Sequence, residues 1–576
     1  MKCSSTWLAR YARGLACSLA VAALGGCSGK SDAEETPGSA STGPFDGPCQ
    51  DLPPIPRRLW LLSNQQYSNA VRDVLNVNAG PTNITGGSTS DYAFFSKDDV
   101  RVDAPLANSY AGAAAAFAAQ IAPQIPALAA CTAGEAPTDC AQRFIQSFAR
   151  RAYRRPLDDG EVTNLMAVYT AGSQPQDPMG PADFAGGLQL VIEAMLQAPS
   201  FVYRSELGSG NGATVSLTPY EVATQLAFLF LNSVPDQALL DAAENGRLAT
   251  QDGIAEQVDR LLALPKAQDN VTHIVLDWFG TRQLKLNPKD MTMFPGFNDM
   301  MDDVIHSAEL FIGDVLWSGS GHTSDLLLSP RVFVNKSMAD MYGFPFTGAS
   351  PTDFVAVEAP AGQRIGMLTQ PGMIAAASNA TTTSVVHRGL FIRSEVICAA
   401  PTPEPPPGLL QQPNVVAALD AAPTERDKVA LRKTFPGCGG CHGGIDGYGI
   451  LLENYDPIGR FRTVTEDGSP VDPSSTLTLS PHVTGTVPGP QAFAQGIVED
   501  NVFSTCASRK LTSYAIGWDL GLGVLLAGQS VPILTDKTCA VRDIKERTEQ
   551  AGGTINALLR EIAMASFMRT RAGGQQ

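Results

Sequence analysis

The sequence predicts a mainly α, multi-domain protein. Three observations carry the prediction. Apolar residues recur at helical spacing behind capping signals. Sustained strand alternation is scarce. The 576 residues, at roughly 150 per domain, imply about four folded units. Hydrophobic residues make up 44% of the chain, enough for real cores. Gly 54 and Pro 41 place many loops on that body. The formal charge of −16 repels phosphates and forgoes counterion release, which excludes nucleic acid as a partner.

Residues 1–26 read as a lipoprotein signal peptide. Lys2, Arg10 and Arg13 precede an apolar run over residues 14–24, then Leu24-Gly25-Gly26-Cys27. The run is too short to span a bilayer as a helix. Leu-Gly-Gly-Cys resembles a bacterial lipobox, which implies cleavage before Cys27 and lipidation of its thiol. Ser28 resembles the outer-membrane sorting signal. An ordinary signal peptide with an incidental cysteine is the alternative. Residues 27–54 are a flexible linker holding the body off the membrane. The expected location is the cell envelope, at the outer membrane, facing the periplasm or the exterior.

The folded elements follow in order. Ser63-Asn64-Gln65-Gln66 is a capping box before Tyr67, Ala70, Val71, Val74 and Leu75, within an N-terminal helical domain over 55–130. Asp158-Asp159-Gly160-Glu161 opens a helix in a second small domain, 138–205. Thr218-Pro219-Tyr220-Glu221 adds proline at the first helical position and opens a central helical domain, 206–350. The apolar positions from Phe297 to Leu316 in that domain predict a long amphipathic helix. A connecting domain, 360–400, leads to a Pro-rich hinge, 401–420, stiffened towards polyproline II by Pro401, Pro403, Pro405, Pro406 and Pro407. A segment over 421–485, which holds Cys438-Gly439-Gly440-Cys441-His442, and a C-terminal helical domain over 486–576 complete the chain. Ile555, Leu558, Leu559 and Ile562 mark a helix in the latter. One short echo links Ala198-Pro199-Ser200-Phe201-Val202-Tyr203-Arg204 with Ala565-Ser566-Phe567-Met568-Arg569.

The haem assignment rests on Cys438-Gly439-Gly440-Cys441-His442, a CxxCH signature of c-type haem attachment. Two thiols on one turn add to the two vinyl groups, and the adjoining histidine reaches the iron. That attachment takes place outside the cytoplasm, in agreement with export. A thioredoxin-like CxxC must open a helix after a strand, for which Gly437, Gly439 and Gly440 are poor, and a zinc site needs a second pair. Apart from Cys3, Cys17, Cys27 and this pair, the cysteines are an even set, as an oxidising compartment favours. Spacing pairs Cys131 with Cys140 and Cys506 with Cys539, leaving Cys49 with Cys398, one of several possible connectivities.

His442 is the expected proximal ligand. The distal candidates are His482, Met564 or Met568, His387, or an open position. Arg460 and Arg462 are candidates to pair with haem propionates, an ordinary ion pair being the alternative. Asp302, His306 and Glu309 share a helix face that could ligate a metal but reads better as solvated, and Asp98, Asp99 and Asp103 read the same way. No GxSxG, P-loop, GxGxxG or HExxH motif names a second chemistry.

Several runs then resemble, in order, a known family: Arg57-Arg58-Leu59 with Val71-Arg72-Asp73-Val74-Leu75; Phe148-Ala149-Arg150-Arg151-Ala152-Tyr153-Arg154-Arg155-Pro156-Leu157; Pro199-Ser200-Phe201-Val202-Tyr203-Arg204; Gly366-Met367-Leu368-Thr369-Gln370; Ser384-Val385-Val386-His387-Arg388-Gly389; Glu453-Asn454-Tyr455-Asp456-Pro457-Ile458-Gly459-Arg460; and Arg509-Lys510-Leu511-Thr512-Ser513-Tyr514. The chain resembles the exported, planctomycete-type cytochrome-c-like multi-domain family over roughly residues 55–570. The resemblance implies small successive domains, one covalent haem c and export, but no substrate. It departs at Ile445, where family members often carry methionine. Electron transfer to or from a redox partner protein is the expected function. The alternatives are a haem-dependent oxidoreductase with a pocket in the helical domains, and a non-redox surface-binding module with structural haem.

Overall fold

All three capping boxes open helices. In a computed structural model, Ser63, Asp158 and Thr218 cap Asn64–Leu75, Asp159–Gly172 and Pro219–Phe230. Each cap side chain accepts the third helical N–H, and the side chain of that third residue returns the bond to the cap N–H. The structure describes residues 51–77, 84, 102–175, 182–400, 408, 412–465, 468–520, 524–525 and 538–573. The targeting segment, Cys27, Cys49, Asp98, Asp99, Pro401, Pro403, Pro405, Pro406 and Pro407 lie outside them, while Pro413 opens the helix Pro413–Ala421 at the end of the stretch read as a hinge. The apolar run from Phe297 becomes the helix Met301–Gly313 followed by a π turn, Asp314–Ser318, and the last long helix is Ile555–Met564.

The described residues are 60% helical and 8% strand, which is the mainly α class expected. Among the described residues the strands form only antiparallel pairs of two, and no helix is long and apolar enough to cross a membrane. Two large cores organise the helices. One is built from residues 61–202, with Tyr67, Ile145, Ile192 and Phe201 at its centre. The other runs from Leu217 to Met568 and also takes Ile55. The helix Pro219–Phe230 divides them: Phe228 faces the first core, while Leu226 and Phe230 face the second. It is apolar nearly all round because it is covered nearly all round. Tyr448, Leu451, Leu452, Tyr455 and Ile458, from beyond the Pro-rich run, pack into the same core as Trp278, Phe311 and Phe391.

Distant strands are stitched together at one buried carboxylate. Arg58–Leu61 pairs with Tyr203–Glu206, Arg58 opposite Glu206, and Thr214–Ser216 pairs with Thr570–Ala572. The fully buried Glu206 accepts Nε of Arg58 at 2.8 Å and Nε of Arg571 at 2.8 Å. Arg204 stacks on Trp60, 3.7 Å from the ring centroid. Burial opposes ionisation of Glu206, but Arg571, Arg58 and Arg204 outweigh it and hold the carboxyl well below the ordinary range. The echo in the sequence now has a structural meaning. Each copy makes a short helical turn, Pro199–Val202 or Ser566–Met568, that delivers its chain to a strand ending in this cluster.

The disulfides correct the sequence reading. Cys131 pairs with Cys140 as spacing indicates. Cys398, however, pairs with Cys506 across 108 residues, which overturns both Cys506–Cys539 and Cys49–Cys398. Chain spacing is a poor guide here because the helix Val502–Ile516 packs beside the π turn Ile392–Val396, bringing the two Cα atoms to 5.3 Å. Cys539 is disulfide-bonded too, and none of the described cysteines is its partner.

Candidate cofactor site

Cys438 is the N-cap of the helix Gly439–Ile450, which carries Cys441 and His442 on its first turn. The preceding helix, Glu425–Thr434, is opened by a Thr424/Asp427 capping box. The reversal between them depends on Gly437, at φ 84°, in the left-handed region. At Gly439 a Cβ would come within 2.7 Å of the Lys433 carbonyl oxygen. The glycines that make this segment a poor thioredoxin motif are therefore what folds it back on its neighbour.

The inner face of the motif helix buries Ile445, Asp446, Tyr448, Gly449 and Ile450. It packs against Val385–Phe391, Glu425–Thr434 and the strand Ser475–Thr478. The crossing with Val385–Phe391 is a backbone-to-backbone contact. A Cβ on Gly449 would collide with the carbonyl of Val385, and one on Gly389 with the carbonyl of Ile445. Ile445 is buried on this inner face and points into the protein. Gly449→Ala is expected to destabilise by about 1–3 kcal/mol through overpacking. The gain in helix propensity, about 1 kcal/mol, does not compensate when two backbones must separate. A thermal melt followed by circular dichroism measures it; an unchanged midpoint would mean the crossing is loose.

On the outer face, a Cβ at Gly440 or Gly443 would meet nothing within 4 Å. Cys438 is buried and Cys441 half-buried, and neither takes part in a disulfide. The imidazole of His442 bonds through Nδ1 to Oδ1 of Asp446 at 2.9 Å, which presents Nε2 as the ligand atom. Asp446 is fully buried, and its Oδ2 accepts Nε of Arg432 at 2.8 Å. Nη2 of Arg432 is buried without a hydrogen-bond partner, an oxygen of Glu425 standing off at 4.0 Å. Two adjacent thiols, an oriented imidazole, a face bare of side chains and an unfilled guanidinium donor fit a covalently held haem. Cys438 and Cys441 would carry it and His442 would bind its iron.

The other predicted residues fall elsewhere. Arg460 is paired with Asp456 at 2.6 Å, and Arg462 with Glu453 at 3.4 Å. Glu453 also takes the fully buried Arg388, which donates to the carbonyl oxygens of Leu452 and Asp456. Burial pushes the Glu453 carboxyl up, while Arg388 and Arg462 pull the other way. The His387-Arg388-Gly389 and Glu453–Arg460 signatures are in this respect struts of the fold. His387 lies in the first turn of the crossing helix, its N–H donated to Ser384. His482 sits on an exposed turn with Nδ1 on Asp500 at 2.6 Å and Nε2 facing Glu499 at 3.6 Å, and Asp500 raises its pKa. Met564 lines a cleft with Asp543, Arg547 and Glu561, and Met568 is buried in the second core. Val385–Phe391, Glu425–Thr434 and Ser475–Thr478, the elements named above as packing on the motif helix, carry none of His482, Met564 and Met568.

Sequence reasoning missed Asp446 and Arg432. The signal for Asp446 was its place four residues after His442 on a helix, where side chains meet. It also missed His273. Glu309 bridges Nε2 of His273 and Nδ1 of His306, each at 3.0 Å, and these bonds, with His273 the larger influence, push its carboxyl down to about 2. Asp302 pairs with Lys285, and Asp103 caps the helix Ala104–Ile121. Among the described residues the closest potential metal ligands are Cys131, Glu135 and Cys140, but a disulfide occupies both sulfurs.

Three stretches match family models in chain order. Residues 140–206 match PSD5, a "Protein of unknown function (DUF1595)". Residues 217–344 match PSD4, a "Protein of unknown function (DUF1592)". Residues 364–465 match PSCyt3, a "Protein of unknown function (DUF1588)", and include Cys438, Cys441, His442 and Asp446. No curated protein and no solved structure was found to match the chain.

Proposed function

We propose that the chain is an exported, lipid-anchored, monohaem c-type cytochrome-like protein that transfers electrons at the cell envelope. The carrying observation is the CxxCH turn itself, with thiols at Cys438 and Cys441 and an imidazole at His442 that Asp446 turns towards its Nε2. When bound, haem supplies one-electron exchange at its iron. Cys438 and Cys441 would hold the group by thioethers, His442 would bind its iron, and the glycine face of the motif helix would be left for a redox partner protein. Lipidation at Cys27 and the linker after it would keep that face at the membrane surface. The cytochrome-style name of the family matching residues 364–465 agrees with this reading.

A second reading, a haem-dependent oxidoreductase, is favoured by one specific observation. His482, the nearest downstream histidine, has both ring nitrogens directed at carboxylates, and an iron without a sixth protein ligand could take a small molecule there. Absorption spectra of periplasm-matured protein, oxidised and reduced, with a pyridine haemochrome and carbon monoxide, test both. A covalent haem indifferent to carbon monoxide supports electron relay. A high-spin haem that binds carbon monoxide supports the oxidoreductase. Absence of a haemochrome overturns both.

A further inference from the structure

We propose that Asp446, pinned by Arg432, is a positioning residue that makes His442 an electron-rich axial ligand and so sets a low reduction potential for the haem. The inference rests on the haem reading above and adds to it the direction in which the protein tunes the iron.

The geometry is that of a second-shell carboxylate. His442 and Asp446 are one turn apart on the same helix, and Nδ1 and Oδ1 lie 2.9 Å apart. A buried acceptor on one ring nitrogen fixes the tautomer and leaves the other for metal. This acceptor is a carboxylate rather than a backbone carbonyl, so its bond is charge-assisted and about twice as strong as a neutral one. It transfers more negative charge into the ring, and an electron-rich ring stabilises ferric over ferrous iron.

Asp446 cannot swing away. It has no exposed surface, and its second oxygen is held by Nε of Arg432 from the neighbouring helix. Arg432 faces Glu425, which in turn pairs with Lys428 at 2.7 Å. The row Lys428, Glu425, Arg432, Asp446 alternates in sign and ends on the His442 ring, so each link moderates the next. Arg432 withdraws part of the charge that Asp446 would otherwise offer. The two residues should therefore act on the iron in opposite directions.

The test is a spectroelectrochemical titration of full-length, periplasm-matured wild type, Asp446→Asn, Arg432→Gln and Glu425→Gln. Each is first checked by pyridine haemochrome and circular dichroism. Asp446→Asn is expected to favour reduction at least tenfold, an upward shift of about 59 mV for one electron. Arg432→Gln is expected to move the potential downwards. Glu425→Gln removes an equal charge that does not touch His442 and is expected to shift it much less than Asp446→Asn. A wild type without haemochrome overturns the haem reading and this one with it. Haem present with Asp446→Asn within twofold of wild type overturns this inference alone, and so does an equal shift in Glu425→Gln. If Asp446→Asn does not fold, the sign of the Arg432→Gln shift decides: an upward or absent shift refutes the proposal.

Discussion

Replacing Cys438 and Cys441 together by serine is expected to yield a folded protein with no covalently bound haem. A serine hydroxyl cannot form the thioether, while the remaining architecture does not depend on these thiols. Cys131–Cys140 and Cys398–Cys506 are untouched, and the motif helix is anchored by the Gly389 and Gly449 crossings on its opposite face. The measurement is intact-protein mass after denaturation, with the haemochrome of the same sample. Each single variant should retain a fraction of the haem through the surviving sulfur. Full haem content in the double variant would place the cofactor elsewhere on the chain.

Glu206→Gln is expected to cost about 3–5 kcal/mol of stability, the usual consequence of removing one partner from a buried ionic cluster. Arg58 and Arg571 would be left facing a neutral amide, with Arg571 only 1% exposed. The pH dependence has a definite sign. The folded-state pKa of Glu206 lies below its ordinary value of 4.5. Its contribution is therefore complete above about pH 4.5 and is lost as pH falls from there towards the displaced pKa. Wild type should lose stability progressively on acidification in that window, and the variant should be flatter across it. Denaturant unfolding followed by tryptophan fluorescence suits the test, because Trp60 stacks on Arg58 and Arg204. Parallel acid profiles for the two proteins would remove Glu206 from the account.

What was legible in the sequence was local. A capping box needs only four consecutive residues, and Ser63, Asp158 and Thr218 carry their own evidence. CxxCH is equally compact. The disulfide Cys398–Cys506 was not legible because its geometry is set by how two helices pack, not by the chain between them. Arg460 and Arg462 illustrate another limit. An arginine near a cofactor motif looks available until the buried carboxylates that engage it, Glu453 and Asp456, are brought beside it by folding. His273 was invisible as a partner of Glu309 because it lies on a different helix, Pro265–Trp278. Asp446 was within reach, since its offset from His442 is a helical one.

The Glu206 cluster also sets a timetable. Arg58 and Glu206 emerge early in synthesis, but Arg571 follows Glu206 by 365 residues. At about 5–20 residues per second the carboxylate waits roughly 20–70 s for its last cation. Until then the strand Thr214–Ser216 lacks its partner strand Thr570–Ala572 and the Ile55 carbonyl lacks the N–H of Ala572. Closure of so long a loop is slow, and it comes last. A nascent or nicked chain lacking residues 570–572 can fold its capped helices and still remain unlatched, with Glu206 short of one of its cations.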